Sequence, residues 1–159
     1  MKEVSTLKHI EALRESEDIE CKLAQGRHGD GTLPKDVWET LSAFSNTEGG
    51  DIFLGLKELE AGNFELAGIN DTHKVLREFW HGLNSGKKIS PLVIKPHWVK
   101  VIEVDGKNVI QIHVPRAAKA YLPVYIHDSP FGGSYKRSGS SDVKIAEAEV
   151  RRMLDEAQQ

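Results

Sequence analysis

With 159 residues, 39% hydrophobic and 28% charged, the chain has the composition of a folded protein and the length for one domain with a real core. A formal net charge of −3 excludes a nonspecific nucleic-acid coat held by an overall basic surface. The single cysteine, Cys21, excludes an intrachain disulfide, and no apolar run approaches the length of a membrane span.

Thr6 to Arg14 is predicted as a short helix with Leu7, Ile10 and Leu13 on one face. Ile19, Cys21 and Leu23 alternate with Glu20 and Lys22, the pattern of a strand with one buried face. Cys21 then belongs to the core and is not a nucleophile. Gly26 to Gly31 is a flexible loop.

The organising stretch is Thr32 to Glu58. Its helix begins near Pro34, and Val37, Trp38, Leu41 and Phe44 give it an apolar stripe. Asn46-Thr47 weakens the helix and Gly49-Gly50 ends it. A core-facing Asn46 needs partners, and it is read as steadying the neighbouring strand that carries Glu20. Ile52, Leu54 and Leu56 alternate with Phe53 and Gly55, which predicts a strand apolar on both faces and central in a sheet.

Gly62 marks a turn, and Phe64 to Ile69 is a candidate hairpin partner. Asn70-Asp71-Thr72 offers caps for a helix with Val75, Leu76, Phe79, Trp80 and Leu83 inward. Val99–Val104 and Asn108–Val114 flank Asp105-Gly106 as a hairpin, and Pro115 stops it. Trp38, Trp80 and Trp98 are read most simply as core or sheet residues, with an exposed strand start the open alternative for Trp98. Pro123 to Ile126 is short and extended. A terminal helix starts near Ala146, with Ala146, Val150, Met153 and Leu154 inward. The expected fold class is α+β, one domain over residues 1–159, with a mixed, mostly antiparallel sheet and packed helices.

Glu15 and Glu20 flank the first strand. Close carboxylates can hold Mg²⁺ or Mn²⁺ and orient water for phosphodiester cleavage, with Glu58 or Asp51 as a third. The plainer reading is solvated acids at a strand end. Gly49-Gly50 follows a helix, at its negative end, so it is not a phosphate loop, and no P-loop sequence exists. Tyr135-Lys136-Arg137-Ser138-Gly139-Ser140-Ser141 joins cations and hydroxyls suited to phosphate contacts; a turn before the terminal helix explains it equally well. The seven histidines form no H-E-x-x-H pair, and no G-x-S-x-G elbow is present. Charge is uneven: residues 1–62 carry 7 Lys/Arg against 13 Asp/Glu, and residues 95–152 carry 10 against 6. Nucleic-acid contact would need a local basic patch.

Three strings together carry a resemblance: Glu15-Ser16-x-x-x-Glu20-x-Lys22, Ala43-Phe44-Ser45-Asn46-Thr47-x-Gly49-Gly50, and Ile52-Phe53-Leu54-Gly55-Leu56. With Val114-Pro115, Pro123-Val124-Tyr125 and Tyr135-Lys136-Arg137-Ser138-Gly139-Ser140, the chain is similar to the Schlafen Alba-like domain, over roughly residues 5 to 155. That family is also described as a divergent AAA-associated, DNA-binding domain of bacterial transcriptional regulators.

The resemblance implies an α+β nucleic-acid-binding domain; a cytoplasmic protein is expected from the N-terminus, Met1-Lys2-Glu3-Val4, which lacks the apolar stretch of a signal peptide. DNA or RNA would be the partner, met by Lys22, Lys136, Arg137, Ser138 and Ser140. No membrane is expected; a second copy of the chain or a missing C-terminal domain are further partners to consider. The first alternative is a Schlafen-like endoribonuclease using Glu15, Glu20 and Glu58, with Mg²⁺ or Mn²⁺ on Glu15 and Glu20. Lys57 stands where the family usually has the third acid. The second alternative is a non-enzymatic oligomerisation or protein-interaction module.

Overall fold

Apolar periodicity becomes structure mostly where the sequence places it. The computed structural model describes residues 3–14, 18–27, 29–60 and 63–159; Glu15, Ser16, His28 and the expected turn at Gly62 lie outside them. The helices are α1 (Leu7–Arg14), α2 (Val37–Asn46), α3 (Thr72–Asn84) and α4 (Glu147–Ala157). The strands are β1 (Ile19–Lys22), β2 (Gly50–Leu54), β3 (Leu56–Glu60), β4 (Asn63–Leu66), β5 (Val99–Val104), β6 (Lys107–Val114), β7 (Tyr135–Ser138) and β8 (Ser141–Lys144). The fold class is α+β. No helix among the described residues is long and apolar enough to cross a membrane.

Contacts divide the chain into two units, one of Met1–Pro34, Gly50–Phe79 and Lys95–His113, the other of Lys35–Gly49, Trp80–Ile94 and Val114–Gln159. In the first, a four-stranded sheet has the order β1-β2-β6-β5. β1 runs parallel to β2, and β5 antiparallel to β6. β2 is buried at all five positions, Asp51 included, as a central strand with the apolar run Ile52-Phe53-Leu54 requires. The expected strand through Leu56 is cut at Gly55, whose φ of 116° suits only glycine. The chain turns there, and β3 pairs with β4 as a separate antiparallel hairpin. Ile10, Ile19, Phe53, Leu56, Val104 and Val109 form the core, with Cys21 packed against it. Asp105-Gly106 makes the expected turn, both residues left-handed. The Asp105 carboxylate accepts the Leu7 N–H at 2.9 Å, placing an acid at the positive end of α1. Asp71 caps α3 through the Lys74 N–H at 3.0 Å.

The second unit is built around α2. Nine of its residues are buried, including Thr40, Ser42, Ser45 and Asn46, so the helix is enclosed well beyond its apolar stripe. It starts at Val37, a turn's length after Pro34. Its end is fixed by Gly49, left-handed at φ 80°, whose N–H bonds Phe44 O at 2.9 Å. A Cβ there would stand 2.6 Å from Val114 O, so no other residue fits without backbone movement.

The buried polar residues of α2 serve backbone that has left regular pairing. Asn46 Nδ2 donates to Val124 O at 2.8 Å and Tyr135 O at 2.9 Å, and Asn46 Oδ1 accepts Val124 N–H at 2.8 Å. Ser42 Oγ donates to Val124 O at 2.7 Å and accepts Tyr135 N–H at 3.0 Å. Thr47 Oγ1 accepts Arg137 N–H at 2.9 Å. The helix thus offers β7 a row of side-chain donors and acceptors in place of a neighbouring strand. The expectation that Asn46 steadies the strand carrying Glu20 is corrected: its partners are Val124 and Tyr135.

β8 is a second correction, since a plain turn was an open reading of this stretch. It pairs antiparallel with β7, from Tyr135↔Lys144 to Ser138↔Ser141. In α4, Val150 is fully buried and Met153 and Leu154 are half-buried, but Ala146 is exposed, because it is the cap residue and not part of the apolar face. Burial pushes the Tyr135 phenol above its usual value, and the Glu39 and Asp142 carboxylates push the same way.

Asn46→Ala removes the side-chain partner of the buried Val124 N–H and Tyr135 C=O, while Val124 O keeps Ser42 Oγ; at about 1–3 kcal/mol for each unsatisfied group, urea unfolding should show a loss of roughly 2–5 kcal/mol. Asn46→Asp, which turns an oxygen on two carbonyls, should lose at least as much; an unchanged urea midpoint for either variant would contradict this account. Tyr135 holds its proton more tightly folded than unfolded, so its contribution is whole below the unfolded value of 10.0 and is lost as pH rises through the higher folded value. The urea midpoint should therefore fall above about pH 10, and Tyr135→Phe should lessen that fall relative to the parent chain.

Candidate functional site

The acids come first. Glu15 lies outside the described residues. Glu20 on β1 and Glu58 on β3, both half-buried, line one small cavity with Ile19, Cys21 and Phe64. Its volume of about 10 Å³ admits about one water. Lys57 does not share that side. Successive residues of a strand face opposite ways, and the register sets Glu58 opposite Phe64 but Lys57 opposite Glu65. Lys57 is exposed. No group of three or more His, Cys, Asp or Glu among the described residues has the geometry of a metal site.

The phosphate-contact candidates divide. Ser138 and Ser140 are exposed on either side of Gly139, at the turn between β7 and β8. The Lys136 side chain is 43% exposed, with Nζ 3.3 Å from Glu149. Arg137, between them in sequence, faces the other way. Its side chain is only 6% exposed, its guanidinium bonds Asp142 at 2.7 Å, and it lies 5.0 Å over the Phe44 ring. Asp142 also accepts the Thr40 hydroxyl at 2.6 Å. Arg137 therefore ties the hairpin to α2, while the same hairpin presents Lys136 and Ser138 outward. Lys22 stands half-buried on β1, in the first unit.

One pair escaped sequence reasoning. Asp51, fully buried on β2, accepts a hydrogen bond from His113 Nδ1 on β6 at 2.7 Å. Gln111 Nε2 lies 3.5 Å from its other oxygen. Trp98 is half-buried in a 3-10 turn before β5 and stands edge-on to His113. The signal was present: a single Asp in Gly-Asp-Ile-Phe-Leu and a single His in Ile-Gln-Ile-His-Val each interrupt an apolar strand. A buried polar residue demands a partner. Only the fold reveals that the two are partners.

No curated protein matches the chain by sequence. Among solved structures, it is similar to the N-terminal domain of a Nitrosomonas europaea protein described as related to the ATP-dependent DNA helicase RecG. The two are 28% identical with a TM-score of 0.63, over 91% of this chain and 95% of that one. A crystal structure of a Corynebacterium diphtheriae protein shares the fold, with a TM-score of 0.59 at 19% identity, over 88% of this chain and 24% of that one. The sequence profile of the family described as Schlafen, AlbA_2 matches residues 15–146. With the profile spanning most of its length, the chain belongs to the Schlafen AlbA_2 family.

Proposed function

We propose that this chain is a nucleic-acid-binding domain of the kind carried by bacterial transcriptional regulators, acting in the cytoplasm, with DNA or RNA as its partner. The observation that carries the reading is the β7–β8 turn. Lys136, Ser138 and Ser140 supply a cation and two hydroxyls on an exposed turn. The buried Arg137–Asp142 pair and the Thr47 hydroxyl hold its backbone. Contacts of this type bind phosphate oxygens and set register without reading sequence. Membership of the Schlafen AlbA_2 family and likeness to a domain of a RecG-related protein support the same direction.

Fluorescence anisotropy with duplex DNA, tRNA and single strands tests it. Binding should weaken steeply between about 50 and 200 mM salt, and Lys136→Ala should weaken it and lower the salt slope by about 1. Absence of salt-sensitive binding to every probe would sink the reading. Arg137→Ala is the wrong probe for contact: it strands a buried carboxylate and should cost about 3 kcal/mol or more of stability.

A second reading is favoured by the cavity that Glu20 and Glu58 share. With Glu15 they would hold Mg²⁺ or Mn²⁺ and orient the attacking water on an RNA phosphodiester. Incubation with tRNA and Mn²⁺ should then give cleavage that Glu58→Gln and Glu20→Gln each abolish, while Lys57→Ala, on the opposite face, leaves it intact. Cleavage equal in all four proteins would rule out these carboxylates.

A further inference from the structure

A cavity of about 140 Å³ opens within the second unit, between the bend after α3 and the loop after Tyr125. Lys87, Lys88 and Ser90 line one wall, and Tyr125, His127 and Asp128 the other. Two hydrogen bonds tie the walls together. Ser90 N–H donates to Tyr125 O at 2.8 Å, and Tyr125 N–H donates to Ser90 Oγ at 2.9 Å.

The loop wall is held in an uncommon shape. His127 and Asp128 are consecutive and both left-handed, each at φ 61°. Residues other than glycine rarely take that conformation. The chain on either side fixes it. Ile126 N–H bonds Gly133 O at 2.8 Å, Tyr125 bridges to Ser134, and the Ser134 hydroxyl donates to Pro130 O at 2.7 Å. A Cβ at Gly133 would strike Ile126 O and Ser129 O, so the loop closes only on glycine.

The polar groups on the walls have capacity left over. Ser90 is 8% exposed. Its hydroxyl accepts the Tyr125 N–H and, among the described residues, donates to no acceptor. A buried hydroxyl has a proton to place. Lys87 and Lys88 are exposed, and among the described residues neither ammonium makes an ion pair or hydrogen bond. Asp128 is exposed and makes no ion pair among them either. The sequence from Phe79 to Ile102 contains no acid, so the lysine wall carries positive charge alone. One acid stands opposite it.

We propose that this cavity binds a phosphorylated sugar, with its phosphate on Lys87, Lys88 and the Ser90 hydroxyl and a sugar hydroxyl donating to Asp128. Ammonium and hydroxyl donors suit phosphate oxygens. A carboxylate repels phosphate but accepts an O–H, so the acid on the far wall selects a ligand with hydroxyls beyond its phosphate. The volume has room for about ten water-sized groups, which fits a phosphate with its sugar and excludes a duplex. Such a group comes as a free sugar phosphate or as the 5′-phosphorylated end of a strand. The site goes beyond the nucleic-acid reading and does not rest on it, since that reading uses an exposed turn and phosphates along a strand.

Calorimetric titration of the whole chain with ribose 5-phosphate, inorganic phosphate and ribose tests the proposal, with amide chemical shifts to locate the contact. Ribose 5-phosphate should bind more tightly than inorganic phosphate, ribose should not bind, and shifts should fall at Lys87, Lys88, Ser90 and Asp128. Lys87→Ala and Lys88→Ala should each weaken binding about tenfold. Both side chains are exposed, so the urea midpoint should not move. Ser90→Ala would also unpair the Tyr125 N–H, and the lysines therefore carry the test. Asp128→Asn keeps a residue type that tolerates the left-handed turn. It should weaken ribose 5-phosphate yet strengthen inorganic phosphate, opposite responses that a plain positive patch would not give. Oligonucleotides with and without a 5′-phosphate separate the two sources. A preference for the phosphorylated strand that Lys88→Ala removes assigns the site to strand ends; ribose 5-phosphate binding without that preference assigns it to a free sugar phosphate. Inorganic phosphate bound as tightly as ribose 5-phosphate, Asp128→Asn strengthening both, or no cavity shifts with any of these probes overturns the proposal. The nucleic-acid reading is decided separately, by salt-sensitive binding of the unphosphorylated strand.

Discussion

The N–H and C=O of Val124 and the C=O of Tyr135, on two separate segments, all close onto the amide of Asn46. An amide has two donors and an acceptor, and here all are used inside the protein. No apolar side chain could replace it, because the Val124 N–H and the Tyr135 C=O would stay buried without its amide. Ser42 and Thr47, the first on the same helix and the second at its end, extend this row to the N–H groups of Tyr135 and Arg137. Gly49 then lets the chain leave the helix within van der Waals reach of Val114 O. The Asn-Thr-x-Gly-Gly string is therefore a device for holding strand-like backbone to the end of a helix.

Held in this way, the β7–β8 hairpin divides its labour between two faces. Strand alternation sends Arg137 inward, onto Phe44 and Asp142, and leaves Lys136 and Ser138 on the outer side. The same heptapeptide holds a structural cation and a presented one. Composition cannot separate them; alternation can, once β7 is known to be a strand. In the first unit a similar logic separates Lys57 from Glu58, one residue apart and on opposite faces.

Much of the fold was legible because it is written in local periodicity. The stripe of α2, the apolar run of β2, the Asp-Gly hairpin and the Asp71 cap all rest on neighbours within a few positions. β8 was not legible, because Ser141-Asp142-Val143-Lys144 is polar and is held by pairing with β7, not by an apolar face. The break at Gly55 was hidden by Leu56, which continues the alternation but belongs to a different sheet. The partners of Asn46, and the meeting of Asp51 with His113 across 62 positions, are long-range facts that no window along the chain contains. Of the candidate site, the residue types were legible and their directions were not.

The central claim is that the exposed β7–β8 turn, held by α2, meets nucleic acid. Amide chemical-shift mapping of the labelled chain with duplex DNA and with RNA tests it most directly. The account predicts the largest changes at Lys136, Ser138, Gly139 and Ser140, reversed by added salt. Changes absent from that turn with every probe, while other amides respond, would contradict it.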